Sequence, residues 1–228
     1  MDPDMKRIGC DDLPPLGSAE RVAFLRRLSS AGRFSVLPWV EAIEAGALAP
    51  EPDLLRVLAP RLDAAVALRL LNLALRPPAG GEVDPVLLET AGGVRHPRLA
   101  ARLRSELGAP CDPATASLLV PLLGHQRDPR DFALLQRLAL EPGPLSLRHA
   151  SLEGLARGLP CWPEQDLATM LETLAGDLDA GMAATAVDLL VRLPGGVAIL
   201  RRLASADLDP QVRSRLERRL RGWPGGPG

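Results

Sequence analysis

One two-helix unit recurs along this 228-residue chain, and it constrains the fold more than any other feature. A leucine-rich helical stretch is followed by a polar or proline-marked turn and then by a second helix with apolar residues at fixed offsets. The second helices begin at Asp63, His96, Pro144, Asp179 and Asp209, with starts 33, 48, 35 and 30 residues apart. Offset +3 from each start holds Val66, Leu99, Leu147, Met182 and Val212, and offset +11 holds Ala74, Leu107, Leu155, Leu190 and Leu220. Offset +4 holds only Ala or Arg: Ala67, Ala100, Arg148, Ala183 and Arg213. A unit this short cannot enclose its own apolar face, so recurrence implies stacking of neighbours. The expected fold is all-α, a right-handed α-solenoid of about five to six helix pairs.

Composition agrees. The chain has no Tyr, three Phe and only three Ile, the reverse of the β-branched and aromatic content a sheet requires. A net charge of -1 provides no global basic field for nucleic acid. Lys6 is the single lysine among 27 basic residues, a bias that fits a GC-rich bacterial genome. Cys10, Cys111 and Cys161 are odd in number and lack a CxxC spacing; a disulfide framework is not expected, and a reducing cytoplasm is. No apolar run approaches the ~18 residues of a membrane span, and residues 1–10 lack the apolar region of a signal peptide.

The pattern divides the chain as follows. Residues 1–17 form an acidic, proline-bearing segment expected to be disordered. Residues 18–50 hold an irregular capping helix pair: Ser18 is the N-cap of the first helix, and Pro38 opens the second. Residues 51–221 carry the repeat array, with an extra helix at about 112–124 interrupted or kinked at Pro121. Residues 222–228 form a disordered tail containing Trp223.

The run Asp209-Pro210-Gln211-Val212-Arg213, with Leu216 and Leu220, resembles the second-helix signature of HEAT repeats, and Leu147-Arg148-His149-Ala150-Ser151-Leu152 is similar. In that family the Asp caps the second helix, the Arg bonds between neighbouring units, and the second helices line the concave side. Asp63 and Asp179 keep the Asp, while three of the five units replace the Arg with Ala or lack it. The resemblance implies architecture and leaves function open.

On that concave side, offsets +2, +6, +9 and +13 share one helix face. They carry Arg98 at +2; Arg69, Arg102 and Arg215 at +6; Arg218 at +9; and Arg76, Arg157 and Arg192 at +13. Guanidinium rows can engage carboxylates or phosphates through paired donors. They can equally be solvated or salt-bridged, since +13 is the last turn, where the helix dipole favours cations. Charge is also segregated: six acids and no Lys or Arg between Gly158 and Val191, then eight arginines from Arg192 to Arg221. That contrast reads either as attraction between neighbouring units or as a bipolar docking surface.

No catalytic constellation emerges. His96, His125 and His149 pair with no nucleophile, the Gly-Gly doublets lack the Lys-Ser/Thr of a phosphate loop, and no His/Cys spacing suits zinc. No cofactor or metal is expected. Trp39 is expected to pack and Trp162 to be half exposed. The leading expectation is a non-enzymatic adaptor whose curved surface binds another protein, one with an acidic surface. HEAT-like solenoids also include DNA glycosylases and bilin lyases, which supply two alternatives: a nucleic-acid enzyme or a tetrapyrrole-attachment factor.

Overall fold

The computed structural model describes residues 12–31, 34–76, 83–206 and 208–221. Residues 1–11 of the predicted N-terminal segment 1–17 and the predicted tail 222–228, with Cys10 and Trp223, lie outside them. The described residues form thirteen α-helices and no strand. They are α1 (Ala19–Ser30), α2 (Leu37–Glu44), α3 (Pro52–Leu58), α4 (Ala64–Leu75), α5 (Pro85–Gly92), α6 (Pro97–Gly108), α7 (Pro113–His125), α8 (Phe132–Leu140), α9 (Leu145–Gly158), α10 (Glu164–Leu174), α11 (Ala180–Leu190), α12 (Gly196–Leu203) and α13 (Pro210–Arg221).

Local chemistry sets the starts. Ser18 Oγ accepts from Arg21 N at 3.1 Å, Asp63 Oδ1 from Val66 N at 2.8 Å, and Asp179 Oδ1 from Met182 N at 2.7 Å. Each satisfies one of the amides that a helix N-terminus leaves unpaired. His96 plays the same part with its ring: Nδ1 accepts from Arg98 N at 3.2 Å. Pro at the first helical positions opens α2, α3, α5 and α7, where its missing N–H is harmless. The second helix ends at Glu44, and Gly46 then turns the chain at φ 71°.

The chain divides into two compact units, Met1–Arg102 and Leu103–Gly228, with the division inside α6. In the first, α1 packs on α3 and α3 on α5, while α2 packs on α4 and α4 on α5. Trp39, fully buried, anchors its core with Phe24 and Phe34 at ring-centroid distances of 6.4 and 6.5 Å. Arg61 lies 4.8 Å over the Phe34 ring and donates to the carbonyls of Ser29 and Ala31. Arg21 is buried and reaches Glu51 Oε1 at 2.8 Å and the Pro14 carbonyl at 2.6 Å.

In the second unit, α8 contacts α10 and α10 contacts α12; α7 contacts α9, α9 contacts α11, and α11 contacts α13. One core runs through these rows, from Val120 to Leu216. The apolar offsets fill the cores of both units: Val66, Leu99, Met182, Val212, Ala74, Leu155 and Leu190 are buried, while Leu147, Leu107 and Leu220 are partly so. Offset +4 is interior where it holds alanine: Ala67, Ala100 and Ala183 are at most 2% exposed, whereas Arg148 is partly buried and Arg213 exposed.

Two close approaches depend on glycine. A Cβ on Gly124 of α7 would lie 2.5 Å from the Cα of Gly154 on α9, and closer still to that residue's carbonyl. The two helices therefore cross with their backbones in contact. Helix α7 runs unbroken through Pro121, which is buried; the predicted interruption is absent. The expected half-exposure of Trp162 is also corrected, since its ring is only 5% exposed. It stacks tilted on Phe132 at 6.0 Å, and Nε1 donates to the Leu155 carbonyl at 2.7 Å. The ring rests on Gly158, where an added Cβ would come within 2.8 Å of Nε1.

Candidate functional site

Four of the eight predicted arginines are tied to neighbouring acceptors, and three of the four follow one rule. Arg69 on α4 donates Nε to Glu44 Oε1 at 3.0 Å, a second bond to the same carboxylate, and Nη1 to Glu41 Oε1 at 3.3 Å. Arg102 donates Nε to Asn72 Oδ1 at 3.0 Å. Arg215 donates Nε to Asp188 Oδ1 at 3.0 Å and Nη2 to Oδ2, while Arg219 adds Nε to Oδ1 at 2.9 Å. Each of the three sits at offset +6. Asn72 and Asp188 both sit at +9 of the preceding repeat, and Glu44 ends the preceding helix pair. Within each unit these bonds are the rungs of a ladder that ties a second helix to the helix pair before it. Hydrogen bonding to Glu44 raises the Arg69 pKa, and bonding to Asp188 raises that of Arg215. Burial pushes the Asp188 carboxyl upward, but its bonds to Arg215 and Arg219 prevail and hold it below the usual range. These groups are partly exposed, so solvent screening keeps each rung weak.

Arg157 is the fourth. It folds back along its own helix to Glu153, with Nε and Nη2 at 3.1 and 2.7 Å from Oε1. Arg76 and Arg98 in the first unit, and Arg192 and Arg218 in the second, are exposed and make no ion pair among the described residues. Part of the charge contrast near the C-terminal end is attraction between neighbours: Arg202 meets Glu172 at 2.9 Å, and Arg215 and Arg219 meet Asp188.

The ladder is interrupted in the second unit. Offset +6 of α9 is Ala150 and that of α11 is Thr185. An open cleft of about 480 Å³ lies there, with polar walls of Ser117, Ser146, His149, Glu153 and Thr185. Its apolar floor is Ala150, Leu152 and Ala156. Ser117 and Ser146 hydroxyls are 3.3 Å apart, and Thr185 Oγ1 donates to the Gly181 carbonyl at 2.8 Å. His149 Nε2 is 3.2 Å from Asp179 Oδ1, the same oxygen that caps α11.

The most buried ion pairs were not among the predicted residues. Arg104, at offset +8 and outside any recurring column, grips Asp131 with Nε–Oδ1 at 2.5 Å and Nη2–Oδ2 at 2.9 Å, and also bonds Asp128. Asp131 is 3% exposed. Arg148 sits at offset +4; it donates to the Ala139 carbonyl at 3.0 Å and pairs with Asp177 before α11. A carboxylate about 24 to 31 residues from the arginine is the sequence signal that finds these partners, because that is the separation of adjacent helix pairs.

Reactive chemistry is not evident at the thiols. Burial pushes both Cys111 and Cys161 upward, away from thiolate. Among the described residues no group of three or more His, Cys, Asp or Glu could hold a metal ion, and no helix is long and apolar enough to cross a membrane. No family model matches the chain, and neither a curated protein nor a solved structure matches it.

Proposed function

We propose that this chain is a right-handed, HEAT-like α-solenoid acting as a non-enzymatic scaffold, whose second-helix face docks the acidic surface of another protein. The architecture is supported within each unit by the rows of like helices, α2 with α4 in one and α9, α11 and α13 in the other. The repeating +6 to +9 rung supports it further. The observation that carries the functional reading is the division of labour on that face. Ladder arginines are engaged internally, whereas Arg76, Arg98, Arg192 and Arg218 stand exposed without an ion pair among the described residues. Such guanidinium groups are available for bidentate recognition of carboxylates. Trp39 and Trp162 are core residues and offer no base-stacking platform, so the nucleic-acid alternative gains nothing from them.

The test is co-purification of the full chain from its native source, with identification of the bound protein and comparison of two charge-reversed variants. Arg76→Glu with Arg98→Glu, and Arg192→Glu with Arg218→Glu, leave every ladder rung intact and preserve helicity and melting temperature. Loss of the partner in either variant, with binding that weakens as salt rises, is the expected result. Undiminished retention by both variants removes the arginine face from the proposal.

A further inference from the structure

The interrupted rung has its own chemistry. Where the ladder is complete, the acceptor of one repeat receives a guanidinium from offset +6 of the next: Glu44 from Arg69, Asn72 from Arg102, Asp188 from Arg215. Glu153 is the +9 acceptor of the α9 repeat, and the +6 residue that follows it is Thr185, too short to reach across. The cleft of about 480 Å³ occupies this position. Glu153 is left with Arg157 from its own helix, and its side chain is 53% exposed.

From this register we infer that the cleft is a socket for a guanidinium side chain supplied by a partner polypeptide, which completes the missing rung between α9 and α11 from outside. The inference rests on the docking role proposed above but on a different set of atoms. Three features favour a planar cation as occupant. The same +9 to +6 pairing holds a guanidinium at two other rungs, Asn72–Arg102 and Asp188–Arg215, so the spacing already suits that group. The walls supply acceptors for its five N–H donors: the Glu153 carboxylate and the oxygens of Ser117, Ser146 and Thr185. The Ala150, Leu152 and Ala156 floor accommodates the methylene stem. An acidic side chain would instead meet Glu153 directly.

The socket is tested on the isolated full chain, which separates its failure from failure of the scaffold reading. Nα-acetyl-arginine amide is titrated into the 15N-labelled protein, with Nα-acetyl-citrulline amide as the neutral, nearly isosteric control. Saturable amide shifts at Ser117, Ser146, Glu153 and Thr185 are expected with the arginine derivative. Binding of the citrulline derivative should be weaker by about tenfold or more, because only the cation makes charge-assisted bonds. Glu153→Gln removes the charge with little change in shape, and Thr185→Arg supplies the rung internally. Both should lower affinity by about tenfold or more while the melting temperature is unchanged or, for Thr185→Arg, raised. Equal response to citrulline, shifts centred elsewhere, or undiminished arginine binding in Glu153→Gln overturns the inference, whether or not Thr185→Arg folds.

Discussion

Replacing Gly124 with alanine tests the backbone contact between α7 and α9. The new methyl carbon would stand 2.5 Å from Gly154 Cα and nearer to its carbonyl, whereas ordinary contacts of a Cβ are about 3.4–4 Å. All three nearest atoms are main chain in the middle of a helix, so no rotamer change relieves the clash. The helices must part by about 1 Å, which forfeits a quarter to a half of the dispersion energy along the crossing. Overpacking of a tight core costs about 1–3 kcal/mol and occasionally more, and this site belongs at the upper end because backbone opposes backbone. Alanine recovers about 1 kcal/mol of helix propensity. The net expectation is a loss of about 2 kcal/mol, or roughly 4–8 °C in melting temperature at 2–4 °C per kcal/mol for a chain of this size. Gly108→Ala, where an added Cβ meets nothing within 4 Å, is the matched control and should be neutral or stabilising by up to about 1 kcal/mol. Thermal unfolding followed by circular dichroism measures both. Equal melting temperatures for Gly124→Ala and the parent protein would refute the crossing geometry.

Two further outcomes follow from the charges. Asp131→Asn, which leaves Arg104 without its buried carboxylate partner, should cost about 2–4 kcal/mol in urea unfolding; Glu172→Gln at the exposed Arg202 pair should cost less than about 0.5 kcal/mol. The carboxyls of Asp128 (through bonds from Arg130 and Arg104), Asp177 and Asp188 are held below the usual carboxylate range; for the latter two, bonds from Arg148 and from Arg215 with Arg219 outweigh burial. Their contribution to stability is complete above the unfolded value of about 3.9 and disappears as pH falls through the lower folded values. Urea midpoints should therefore hold between about pH 5 and 7 and decline below about pH 4, with Asp128→Asn flattening the acid limb. A midpoint at pH 3 equal to that at pH 7 would contradict it.

Much of the helix plan was legible because its signals are local. Ser18, Asp63 and Asp179 cap the helices they precede, and the apolar offsets fill the cores, since a cap or a 3.6-residue stripe is decided within one or two turns. What sequence could not display is register between helices. The face bearing Arg69, Arg102 and Arg215 was visible as a column, yet whether each guanidinium met solvent or the preceding acceptor depends on how far one helix slides along the next. Arg104 escaped notice because its position does not recur, and its partners Asp128 and Asp131 lie beyond an intervening helix. Trp162 looked like a turn residue; its burial depends on the path that returns the chain onto Gly158, a glycine indistinguishable in sequence from a simple helix stop. The cleft was hidden for the same reason, being defined by the Arg that Ala150 and Thr185 are not.

The ladder has a consequence for how disturbance spreads. Its bonds, and the ion pairs of Arg21, Arg104, Arg148 and Arg202, join residues only 24 to 31 positions apart. Within either compact unit, then, a helix pair senses the pair before it and the pair after it, and little else. Damage at one rung loosens its two neighbours and fades, as a dropped stitch slackens the adjoining loops of a knitted row while the rest of the fabric keeps its tension.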